Sequence, residues 1–93
     1  MTPQELSQKA RQLVAEGAVL LDVRTPQEFQ QGHPEVARNI PVQELPRRLS
    51  EVGPPGTRVV VYCAAGARSA QAVQLLRAGG YTDVFDLKSV NYW

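Results

Sequence analysis

One cysteine, Cys63, closes the run Val59-Val60-Val61-Tyr62-Cys63, and Ala64-Ala65-Gly66-Ala67-Arg68-Ser69 follows it. A thiol becomes a nucleophile when its surroundings favour the thiolate. The four residues after Cys63 have no bulk to shield their own backbone N–H groups, and Gly66 takes a positive φ at no steric cost. A loop of this kind can curl with its N–H groups inward and form an anion nest. A helical pattern starts directly after it, and a helix N-terminus offers unpaired N–H groups and a partial positive charge. Arg68 adds a permanent charge and a planar fork of donors suited to an oxyanion. Ala64, Ala65, Gly66, Ala67, Arg68 and Ser69 therefore read as a cradle for an anion held on Cys63. The competing reading is a core thiol, a common state for a free cysteine. The position between an apolar run and Gly-x-Arg-Ser speaks against it.

The elements that must position this loop follow from the pattern around it. Val59 to Tyr62 is apolar and β-branched without alternation, as expected of a strand buried on both faces of a parallel sheet. Ala70, Val73 and Leu76 form one stripe of the helix that follows, and Gly79-Gly80 stops it. Upstream, Thr2-Pro3-Gln4-Glu5 is a helix start with Thr as N-cap, Pro at the first position and Glu three after the cap. Leu6, Ala10, Leu13 and Val14 fall on one face of that helix, and Gly17 ends it. Val19 to Val23 reads as a second buried strand. Thr25-Pro26-Gln27-Glu28 repeats the helix-start signature for a short helix through Gln31, ended by Gly32. Ala37 to Ile40 is a short strand candidate, and Pro46 opens a short helix through Leu49. Val84 to Leu87 is the last strand. Helices alternating with strands predict an α/β fold: a small parallel sheet, right-handed crossovers and helices on both faces. In such sheets ligands bind outside the carboxyl ends of the strands, which is where Cys63 stands.

Three further polar residues carry two readings each. Asp22 lies near the carboxyl end of a buried strand, and a buried carboxylate needs a partner. Either Asp22 and Arg24 support the cradle from the neighbouring strand end, or Asp22 caps the turn that follows. Glu28 is expected to close a capping box, with pairing to Arg24 or Arg68 as the alternative. His33, the lone histidine, reads as a buried, hydrogen-bonded loop residue rather than a general base, because a cradled thiolate needs no base.

Size and charge exclude whole classes of function. The chain has 93 residues and a formal net charge of +1, enough for one small domain over residues 1–93. Eight of the ten basic residues are arginines, scattered without a stripe, which argues against a nucleic-acid partner. No apolar run is long enough for a membrane helix, and the first residues lack a signal-peptide pattern. A single cysteine allows no internal disulfide. One His with one Cys makes no ordinary metal site, so a metal is not expected and a reducing cytoplasm is.

The sequence resembles the rhodanese family in several places. Cys63-x-x-Gly66-x-Arg68-Ser69 after a buried strand is similar to the family's active-site loop. Leu20-Leu21-Asp22-Val23-Arg24 with Pro26-x-Glu28-Phe29 and Gly32-His33 is similar to its first signature, and Asn39-Ile40-Pro41 to the next. Leu87 and Trp93 are similar to the C-terminal signature. The chain departs from the pattern at Pro34-Glu35-Val36, where the family has an Ile-Pro-Gly-like turn, and at Ser89-Val90, where it has a Gly-Gly pair.

The resemblance implies a rhodanese-like fold and a sulfurtransferase that works without a cofactor. Cys63 would take a sulfane sulfur from thiosulfate or a persulfide donor, carry it as a persulfide, and pass it to cyanide, a small thiol or a partner protein's cysteine. With no second cysteine, the acceptor must come from outside. Cys-dependent phosphatases use a similar loop that is one residue longer; the shorter ring here, with four residues between Cys63 and Arg68, suits a single sulfur better than a phosphate. A non-catalytic binding or regulatory module is the other alternative, although such relatives usually lack the cysteine. Ala64 stands where thiosulfate-using members often have a basic residue, which predicts weak thiosulfate binding.

Overall fold

The computed structural model describes residues 1–93. Both capping boxes form as the sequence predicts. Helix α1 runs Pro3–Ala15, where Thr2 Oγ1 accepts the Glu5 N–H at 3.1 Å and Glu5 Oε1 accepts the Thr2 N–H at 2.8 Å. Strand β1, Val19–Asp22, leads to helix α2, Pro26–Gln31, with the same reciprocal cap between Thr25 and Glu28. Strand β2 is only Arg38–Asn39. Two 3₁₀ turns follow, Val42–Arg47 and Leu49–Glu51. Strand β3, Val59–Cys63, feeds helix α3, Ala67–Ala78, and strand β4, Val84–Ser89, ends in a 3₁₀ turn, Val90–Tyr92.

The four strands make one sheet in the order β2-β1-β3-β4, and every adjacent pair is parallel. β3 is buried along its whole length, because neighbouring strands flank it and both of its faces are covered. Successive residues of a strand point to opposite faces. Leu21, Val59, Val61 and Cys63 therefore pack with Ala72, Val73 and Leu76 of α3, while Leu20, Val60, Tyr62 and Leu87 pack with Leu6 and Ala10 of α1. The two layers of helix on one small parallel sheet are the α/β architecture anticipated above. Leu20, Leu21, Leu45, Leu76 and Leu87 are no more than 2% exposed, and burying each contributes about 2 kcal/mol. No helix is long and apolar enough to cross a membrane.

Several local expectations are corrected. The buried stripe of α3 is Ser69, Ala72, Val73 and Leu76, and Ala70 faces solvent; the helix is turned so that a serine, not an alanine, meets the loop. Pro46 does not open a helix. It lies inside the first 3₁₀ turn, anchored by buried Val42 and Leu45. β4 extends two residues past Leu87 by taking a register shift opposite Val61/Tyr62, which pairs Tyr62 with Lys88 and Cys63 with Ser89. His33 is exposed rather than buried.

Candidate active site

Cys63 is the last residue of β3, 1% exposed, on the face that meets the start of α3. The loop between them is only Ala64-Ala65-Gly66. Gly66 sits at φ +112, ψ −19, a region that L side chains avoid. A Cβ added there would meet nothing closer than Lys88 Cβ at 3.7 Å, so the backbone angle, not space, calls for glycine. That angle turns the Gly66 N–H onto Cys63 Sγ at 3.0 Å. No side chain caps α3; the sulfur takes the place a capping oxygen would have.

The electrostatics of the thiol follow from two opposed effects. Burial pushes its pKa up. The backbone N–H groups of Ser69, Gly66 and Ala65, together with the Ser69 hydroxyl, favour the thiolate, and the net direction is downward from the ordinary value. When protonated, the thiol lies 3.4 Å from the Lys88 carbonyl as donor. The Ser69 hydroxyl donates to Gly66 O at 3.0 Å and lies 3.4 Å from Lys88 O, which fixes the first turn of α3 under the sulfur.

Arg68 has a different partner from the one its position suggests. Its guanidinium grips Glu28 in a two-pronged pair at 2.6 and 3.0 Å, with both side chains about one third exposed. Glu28 thus closes the cap of α2 and ties α2 to the start of α3 at once; the capping and pairing alternatives are both realised. Arg68, then the Thr25 N–H, hold the Glu28 carboxyl down to about 2. The same hydrogen bond raises the guanidinium's pKa.

Asp22 and Arg24 form a buried latch one strand away. Asp22 is fully buried. Its carboxylate accepts the Arg24 backbone N–H at 2.9 Å, the Arg24 guanidinium at 2.7 to 3.1 Å, and the Tyr62 hydroxyl at 2.6 Å. Arg24 reaches on to the Gly32 carbonyl at 2.8 Å, and the Asn39 side-chain amide donates to the Asp22 and Arg24 carbonyls at 3.0 and 2.9 Å. Asp22 therefore caps its turn and also clamps the strand ends of β1, β2 and β3. The latch holds Tyr62, the neighbour of Cys63, but none of its groups bonds to the sulfur. Tyr62 ionisation is pushed upward, first by burial and then by its bond to Asp22.

The other side of the loop depends on Ser89, which the sequence marks only as a departure from the family's Gly-Gly pair. Ser89 is buried, and its hydroxyl donates to the Ala64 carbonyl at 2.7 Å and accepts the Asn91 N–H at 3.0 Å. It holds the loop where the family resemblance would place glycine. Only the pairing register could have pointed to it, since Ser89 becomes the partner of Cys63 through the bulge. His33 stays away from the sulfur. Its Nδ1–H meets Phe29 O at 2.7 Å, and its ring stacks on Phe29 at 3.5 Å.

Comparison with known proteins agrees with this architecture. The family model of the rhodanese-like domain matches residues 2–89. The Bacillus subtilis (strain 168) protein YqhL is 44% identical over 71 residues, which cover 76% of this chain and 56% of that protein. Thiosulfate sulfurtransferase PspE of Escherichia coli (strain K12) is 43% identical over 65 residues, covering 69% of this chain and 62% of that protein. The chain thus spans less than two thirds of the length of these two relatives. The human single-domain sulfurtransferase TSTD1 superposes with a TM-score of 0.81 at 31% identity, over 92% of this chain and 89% of that one. Matched over nearly its whole length, the chain belongs to the rhodanese-like domain family.

Proposed function

We propose that the protein is a sulfurtransferase that carries sulfur on Cys63. The observation behind this reading is the Gly66 N–H on the buried Cys63 Sγ at 3.0 Å, at a helix start where the N–H groups of Ser69, Gly66 and Ala65 favour the thiolate. The naming of PspE as a thiosulfate sulfurtransferase and of TSTD1 as a sulfurtransferase supports it. The Cys63 thiolate attacks the outer sulfur of thiosulfate, a sulfur–sulfur bond forms, and sulfite leaves with the electron pair of the broken bond. The charge now resides on the outer persulfide sulfur. N–H donors fixed in place before the reaction stabilise such a charge without reorganising. Cyanide, a small thiol or a partner protein's cysteine then attacks the outer sulfur, and the Cys63 thiolate returns. Donor and acceptor react in turn, in a ping-pong scheme.

The roles of the surrounding residues follow. Ala64, Ala65, Gly66, Ala67 and Ser69 form the cradle around the sulfur. Arg68, fastened to Glu28, positions the first turn of α3 rather than offering a free fork to the donor. Asp22 and Arg24 hold the strand ends. With Arg24 and Arg68 both neutralised and Ala64 uncharged, these three residues hold a dianion only weakly, and a persulfide presented by another protein is the alternative donor.

The mass of the intact protein after incubation with thiosulfate, or with a small persulfide, tests the reading. A gain of one sulfur, discharged by cyanide and absent in Cys63→Ala, is the expected result. No gain from either donor would overturn it and favour a binding module or, if aryl phosphate is hydrolysed, a phosphatase.

A further inference from the structure

Lys88 is the only non-glycine residue with a positive φ, +75. A side chain is disfavoured there by contact between its Cβ and the backbone, and glycine would relieve it. Strain of this kind persists where the surroundings impose it, and it gathers at functional sites. The placement of Lys88 is specific. It stands in the bulge of β4 opposite Tyr62, immediately before the partner of Cys63. Its carbonyl is 3.4 Å from Cys63 Sγ. Its Cβ is 3.7 Å from the point where a Cβ on Gly66 would stand. The side chain therefore springs from the rim of the cradle, and it is exposed.

Charge separates Lys88 from the other cations that frame the loop. Arg68 is spent on Glu28 and Arg24 on Asp22. Lys88 takes part in no ion pair. The nearby Asp86 carboxylate accepts the Lys88 backbone N–H at 2.9 Å and not its ammonium.

We propose that Lys88 is the specificity-determining residue for an anionic sulfane donor of the thiosulfate class, an inference that rests on the sulfur-transfer reading above. Its ammonium meets the sulfonate end of the donor while the cradle receives the outer sulfur. As the bond between the two sulfurs of thiosulfate breaks, both electrons go to the departing sulfite. The ammonium balances the charge that gathers there, and no proton moves. The positive φ belongs to the residue whose Cβ lies beside Gly66 at the rim of the cradle.

The test compares single-turnover loading of Cys63 by thiosulfate in wild type, Lys88→Gln, Lys88→Gly and Lys88→Arg, across a salt series, with discharge by an uncharged thiol as the reference step. An exposed charge pair predicts a loss of about threefold to fivefold in the second-order loading rate for Gln and Gly. Arg should retain most of the rate. The fall of the wild-type rate with salt should flatten in Lys88→Gln. Lys88→Gly should melt no lower than wild type, since it releases the strain, which separates lost charge from lost structure. Wild-type loading and salt dependence in Lys88→Gln and Lys88→Gly would overturn the assignment, as would equal losses in Gln and Arg. If wild-type protein takes sulfur from neither thiosulfate nor a small persulfide, the sulfur-transfer reading itself falls, and this one with it. If it takes sulfur and Lys88→Gln is unaffected, only the role of Lys88 falls.

Discussion

At the scale of single residues, the chemistry turns on which form of Cys63 the fold prefers. The sulfur is buried, which alone would favour the neutral thiol, yet three backbone N–H groups and the Ser69 hydroxyl outweigh that cost. The folded pKa therefore lies below the ordinary value of 9.0. The sign follows by linkage: the unfolded chain binds more protons in this window, so stability rises with pH through the folded pKa, and the gain is complete above 9.0. Alkylation of Cys63 by iodoacetamide should show this directly. Its rate should level off at a lower pH in the folded protein than in the same protein unfolded in urea. Coincident profiles would mean that the N–H groups do not stabilise the thiolate.

At the scale of elements, the Glu28–Arg68 pair joins two helix starts that are forty residues apart in the chain. Glu28 stabilises α2 through its cap and steadies the N-terminus of α3 through Arg68. Its carboxyl is lowered to about 2 from 4.5, by Arg68 first and the Thr25 N–H second. A depressed carboxyl contributes stability that is complete above 4.5 and is lost as the pH falls toward 2. Glu28→Gln should cost about 1–2 kcal/mol at neutral pH, with part of the carboxylate's worth screened by solvent. Urea midpoints measured down the acid range should fall less steeply for Glu28→Gln than for wild type. Parallel acid slopes would show that another carboxylate dominates this window.

At the scale of the whole molecule, the carboxyl ends of β1 and β3 are fastened by one buried carboxylate, and Asn39 of β2 is tied to the backbone carbonyls of Asp22 and Arg24. Asp22 has no exposure and bonds to both Arg24 and Tyr62. Removing one member of a buried pair leaves the other charge uncompensated, at a cost of about 3–5 kcal/mol. That is a large share of the stability of a domain of this size. Asp22→Asn should therefore lower the urea midpoint sharply. Because the latch does not touch Cys63, whatever protein remains folded should still accept sulfur. A loss below about 1 kcal/mol would mean that the strand ends are held by the sheet alone.

The local sequence determined the parts that obey short-range rules. The two capping boxes, the continuous apolar run of β3 and the small residues after Cys63 each carry their reason within a few positions. Fold class was therefore legible without coordinates, as was the placement of Cys63 at the end of a buried strand before a helix. Only the tertiary structure decided how charges pair and which strand ends meet. Arg68 looks like a free fork in the sequence, but folding brings Glu28 within 2.6 Å and occupies it. Ser89 reaches the Ala64 carbonyl, and the Lys88 carbonyl reaches the sulfur, because a one-residue bulge shifts β4 against β3, and a register shift leaves no periodic mark in the sequence. The exposure of His33 has a related reason: whether a loop residue is covered depends on what the rest of the chain lays over it, and here Phe29 stacks against its ring while the residue stays exposed.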